Sequence, residues 1–146
     1  MPYPWSEVLP FEFTESGSNS HDRLRLILRD REGHQLLRLT AQDVEQVARL
    51  LFEEELLRAR SARERGETLV HGRFTLDTAG LAVDGEVHPW STVREVSAED
   101  RSFVIVALHG TWRRIQVPCS EVPHLRAVLT LARERRAHAG DRERRA

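Results

Sequence analysis

The strongest constraint on the fold is an order of patterns that occurs twice: short alternating apolar runs, then one long amphipathic helical stripe. In the first pass "FEFTES", "LRLILRD" and "LLRLT" precede a helical pattern running from Ala41 to about Arg63, with Val44, Val47, Leu50 and Leu51 on one face and Thr40 and Asp43 as a cap pair. In the second, "TLVHGRFTLD", "LAVDG", "EVHPWSTVREV", "RSFVIVAL" and "TWRRIQVP" precede a helix from about Ser120, whose stripe is Val122, Leu125, Val128, Leu129 and Ala132, with Pro123 in its first turn. Asp77 to Gly80 and the Asp84-Gly85 pair are hairpin signals.

Each pass also contains a Pro-Trp-Ser-x-Val element, "PWSEV" from Pro4 and "PWSTV" from Pro89. Aligning the two pairs Asp22-Arg23 with Asp100-Arg101, Ile27 with Ile105, Leu37 and Leu39 with Ile115 and Val117, and Val44, Val47 and Leu51 with Val122, Leu125 and Leu129. We read an internal duplication. Proline suits the start of a strand, and a tryptophan after it offers roughly 200 Å² of surface to bury. Trp5 and Trp90 are therefore expected as equivalent structural anchors at buried strand positions.

The second copy resembles bacterial pleckstrin-homology-like domains. The resemblance is carried by "FTLDTAGLAVDGEVHPWSTVREV", which sets a D-x-x-G-[LI] turn before a P-W-x-x-[VI] strand, and by the closing helix that opens "EVPHL". It implies an α+β protein built from a duplicated β-β-β-α unit, with bent antiparallel sheets each closed by an amphipathic helix. The expected boundaries are an incomplete amino-terminal half over 1–65, a fuller domain over 66–137 and a disordered Arg-rich tail over 138–146. Because the first copy lacks leading strands, its sheet should present an edge, with "FEFTES" and "LRLILRD" near a contact between two copies.

The chemistry expected is recognition. No nucleophile elbow, phosphate loop, dinucleotide fingerprint or H-E-x-x-H motif occurs, so no catalytic residue is assigned and the protein is read as not an enzyme. The seven histidines, His21, His34, His71, His88, His109, His124 and His138, lack zinc spacing, and Cys119 stands alone as a buried structural residue. His71 and His88 are read as scattered surface histidines, a meeting across a sheet being the alternative. No metal and no cofactor is expected. Phosphoinositide binding does not carry over, since the turn "LDTAGL" has an acid and no Arg.

The net charge of −1 offers no basic field for nucleic acid, and no apolar run reaches membrane-spanning length. A start without a signal pattern points to the cytoplasm. All 22 cationic side chains are Arg, as in a GC-rich genome. The reading is a noncatalytic cytoplasmic binding or assembly module whose partner is a protein or a second copy, a homodimer being favoured. Arg73, Arg113 and Arg114 are the candidate partner contacts. The rival readings are nucleic-acid binding through these arginines and the tail, which holds six Arg against three acids from Arg133 onward, and an enzyme of unrecognised type.

Overall fold

The structure is a computed structural model and describes residues 7–14, 24–39, 41–99 and 101–145. It is α+β. Strands β1 (Leu9–Thr14), β2 (Leu24–Arg29) and β3 (Gln35–Leu39) form one antiparallel sheet and lead into helix α1 (Ala41–Glu64). A four-stranded meander follows, made of β4 (Leu69–His71), β5 (Phe74–Leu76), β6 (Gly80–Val83) and β7 (Glu86–Pro89). Strands β8 (Val93–Glu99), β9 (Phe103–Leu108) and β10 (Arg114–Pro118) make the third sheet, and α2 (Leu125–Arg145) ends the chain.

The expectation of a duplicated unit with bent sheets closed by helices, as in pleckstrin-homology-like domains, is corrected by this arrangement. The three sheets are separate and none closes on another. Among the described residues the four-stranded sheet has no counterpart in the first half. Its ladder stops at Pro89, which has no N–H to donate, and the chain turns through a 3-10 turn, Trp90–Thr92, before β8 begins. Trp90 thus sits in that turn rather than in a strand. Trp5 lies outside the described residues, as do Thr40 of the proposed cap and His21.

Trp90 is nonetheless an anchor. Its indole is buried and its Nε1 donates to Asp77 O at 2.8 Å. It joins a core in which Phe74, Leu76 and Leu81 of the second sheet meet Val96, Val104, Val106 and Val117 of the third, closed by Leu125, Val128, Leu131 and Ala132 of α2. Gly80 is required where β6 passes under β7, because a Cβ there would stand 2.3 Å from His88 O. The β6–β7 turn is the two-residue type that needs two positive φ angles, 52° at Asp84 and 86° at Gly85.

Helix α1 has no Gly or Pro inside and ends where Gly66 takes a φ of 74°, with Glu67 N donating back to Ala62 O at 3.0 Å. Val44, Ala48 and Leu51 pack on Leu26 and Leu28 of β2, whereas Ala59 and Ala62 enter the larger core. One helix therefore serves both cores. Its buried stripe is rotated from the expected one: Leu50 points outward, 59% exposed.

At the start of α2, Pro123 precedes the helix and pairs as an isolated bridge with Phe11, while the helix continues through 138–145. β2 is the central strand of its sheet and cannot offer an edge, and β1 is engaged by Pro123 and by His124 N donating to Pro10 O at 2.9 Å. The free edge of that sheet is β3. No helix of the described residues is long and apolar enough to cross a membrane.

Replacing Trp90 with Ala is expected to cost about 3–5 kcal/mol, read from urea unfolding. Trp90→Phe should recover most of this and leave a deficit of about 1 kcal/mol for the lost Nε1 hydrogen bond. Two equal losses would show that the hydrogen bond, and not the ring, holds the turn.

Candidate functional site

Three polar constellations stand out, two buried and one at the surface. The first centres on Glu12 of β1, which is 3% exposed. Arg126 of α2 reaches it with Nε at 2.9 Å, Arg101 of the β8–β9 turn reaches it with Nε at 2.7 Å, and Arg126 also clasps Glu45 of α1 through two contacts of 2.8 Å. The bonds to Glu45 and Glu12 raise the Arg126 guanidinium above its ordinary value, and Arg126 in turn lowers the Glu45 carboxyl. A small cavity of about 20 Å³ lies against Glu12, Arg126 and His124, room for one water.

The second joins Glu55 of α1 to His71 of β4 and His124 at the foot of α2. His124 Nε2 stands 3.3 Å from Glu55 Oε2, and His71 Nε2 stands 3.7 Å from Oε1, too far for a hydrogen bond. Arg58 completes the group with an ion pair to Glu55, and the two imidazoles meet edge to face with centroids 5.9 Å apart. Burial alone would raise the Glu55 carboxyl, but His71, Arg58 and His124 around it hold it at about 2. Burial pushes His124 down to about 4. His71, with neither ring nitrogen hydrogen-bonded, is buried beside them. His71 and His88 do not meet: they occupy the two outer strands of the four-stranded sheet. Sequence spacing could not reveal the actual pair, because His71 and His124 belong to distant elements.

Neither group gathers donors around a single ion. Among the described residues, only Asp30, Glu32 and His34 bring three metal-ligating side chains within 4.8 Å of one another. These form the β2–β3 turn, where Asp30 Oδ1 already accepts the N–H groups of Glu32 at 2.9 Å and His34 at 2.8 Å. The acid closes the turn. Cys119 is buried, and burial pushes its thiol up to about 11, away from thiolate chemistry.

The third constellation is at the tip of the β9–β10 hairpin. Gly110 takes a φ of 72°, and Thr111 Oγ1 accepts Arg113 N–H at 3.1 Å, which turns Trp112 away from the sheet. Trp112 is 100% exposed. With Arg94, Arg113 and Arg114 it lines an open groove of about 350 Å³. Among the described residues none of these three guanidinium groups has an ion-pair or hydrogen-bond partner, although Glu95 follows Arg94 on the same strand. Of the three expected contact residues, Arg113 and Arg114 lie together here. Arg73 lies elsewhere, in the β4–β5 turn, neutralised by Asp84 at 2.8 Å and Glu121 at 3.5 Å. The sequence reading missed Trp112 and Arg94. The signal for Trp112 was its place directly after a His-Gly-Thr turn, where no strand face exists to bury it.

No family model, no curated protein and no solved structure matches the chain, so its own side chains carry the functional argument.

Acid should destabilise the fold in two stages. His124 titrates near 4 when folded against 6.5 ordinarily, so the unfolded chain binds more protons between these values and stability falls as pH drops from 6.5 to 4. Glu55, near 2 against 4.5, adds a loss as pH falls from 4.5 to 2. His124→Asn tolerates the positive φ of 54° there and should flatten the first stage only. Urea midpoints measured across this pH range check it, and an unchanged slope above pH 4.5 in the variant would refute the assignment.

Proposed function

We propose that the chain is a noncatalytic cytoplasmic binding module that engages a protein partner through the β9–β10 hairpin tip. One observation carries this reading: Trp112 is wholly exposed and stands beside three arginines whose guanidinium groups have no partner among the described residues. A bare indole in water is unfavourable by the apolar area it leaves hydrated, and Trp with Arg is the pairing that dominates the energetics of protein interfaces. The hairpin holds the ring on a rigid sheet, so little order is lost on binding. The partner surface is acidic with an apolar recess.

Single-stranded nucleic acid would also stack on a tryptophan beside arginines. Such surfaces use successive aromatic rings along a continuous basic track, whereas Trp112 is the one ring in this groove and the molecule carries no net positive charge.

The test places a photoreactive benzophenone amino acid at position 112 and irradiates the source cells. Discrete protein adducts, whether with this chain or another, are expected, and they should disappear when Arg94, Arg113 and Arg114 are changed to Ser. Adducts to nucleic acid, or protein adducts indifferent to the arginines, would overturn the reading.

A further inference from the structure

The outer face of α1 has the opposite character to the hairpin tip. Leu50 and Leu57 point to solvent, 59% and 68% exposed, one heptad apart on the same stripe. Between them lie Glu53 and Glu54, exposed and, among the described residues, without a partner. Asp43, about two turns before Leu50 on the same stripe, is exposed too. Of the neighbouring cations on the helix, Arg58 binds Glu55 and Arg60 binds Glu134 of α2 at 2.9 Å, while Arg49, exposed four residues before Glu53, borders the face on one side. The face is thus mainly acidic and carries two leucines that are more than half exposed.

Leu50, Glu53, Glu54 and Leu57 stand at i, i+3, i+4 and i+7. Those four positions form the hole into which a side chain of a facing element packs as a knob. Its floor is about 10 Å long, the length of an indole, and its two ends are apolar while its sides are anionic. The hairpin tip is the converse, an apolar ring flanked by cations.

We infer that Trp112 of one copy inserts between Leu50 and Leu57 of a second copy, with Arg113, Arg114 and Arg94 meeting Glu53 and Glu54. This rests on the hairpin tip being the binding surface, and it identifies the partner as the chain itself. Charge complementarity and shape select that occupant. Among the described residues the tip is cation without an ion-pair partner around an exposed tryptophan, the helix face is anion without an ion-pair partner around exposed leucines, and each is the surface the other lacks. If both contacts form reciprocally about a two-fold axis the product is a closed dimer. Contacts between unlike surfaces of this kind depend on salt, because both sets of charges are exposed.

Sedimentation equilibrium of the full chain at low salt should show reversible association above the monomer mass of 16.8 kDa. Trp112→Ala, the pair Glu53→Arg/Glu54→Arg, and the pair Arg113→Glu/Arg114→Glu should each weaken it by about tenfold or more. All these side chains are exposed, so unfolding midpoints should stay at the wild-type value and separate lost contact from lost fold. The decisive variant combines the two charge-reversed pairs in one chain, which should restore association. A monomer mass at every micromolar concentration, or association that survives the reversals, would overturn the inference. A monomer that still gives arginine-dependent adducts from position 112 with a different protein would overturn self-recognition and leave the binding-module reading standing.

Discussion

The structure turns on a carboxylate that has no business being buried unless it is fully engaged. Glu12 is 3% exposed, and leaving such a group unpaired costs several kcal/mol. Arg126 and Arg101 supply the donors, and to reach them β1 must lie against both the foot of α2 and the turn between β8 and β9. Arg126 then uses its remaining N–H groups on Glu45, which sets the first turns of α1. One anion thereby positions the amino-terminal sheet, both helices and the third sheet. Backbone contacts follow the same seam: Phe11 pairs with Pro123, and Thr14 N donates to Arg101 O at 2.9 Å.

Glu55 repeats the device farther along α1, with partners of a different kind. The partners of Glu12 are arginines, which stay charged at any ordinary pH. The Glu55 group includes a histidine that burial keeps neutral, so its neighbourhood resists a second positive charge beside Arg58.

Local structure was legible where one residue type has one physical use. The turn at Asp84-Gly85, the interior of α1 and the burial of Trp90 and Cys119 all follow from backbone or size constraints that act over a few residues. Assembly was less legible. Pro89 was read as the start of a strand when it ends one, so a break between two sheets was taken for continuity within one closed unit. Pro123 was read as helix when it sits in a bridge to β1 whose donor is the N–H of His124. The buried face of α1 was displaced because Ala48 and Glu55 occupy it, and neither looks apolar enough to outrank Leu50. Glu55 is inside only because His71, His124 and Arg58 surround it, and no local pattern encodes partners drawn from three elements.

That displacement has a consequence at the surface. Had α1 turned Leu50 inward, its outer face would be purely polar and the helix would need nothing more. Placing alanines and a paired glutamate against the core frees Leu50 and Leu57 for the outside, where they sit among Glu53 and Glu54, which have no ion-pair partner among the described residues. A net charge of −1 therefore conceals two segregated patches, an anionic one on α1 and a cationic one at the β9–β10 tip. Mixed charges on a surface keep chains apart, whereas segregated ones orient an approach and add to the attraction of whatever apolar groups they surround. The same segregation works against a polyanion, which the arginines attract at one end of the molecule and the acidic helix repels at another. A compact acidic surface meets no such opposition, so the distribution of charge, rather than its sum, is what favours a protein over a nucleic acid at Trp112.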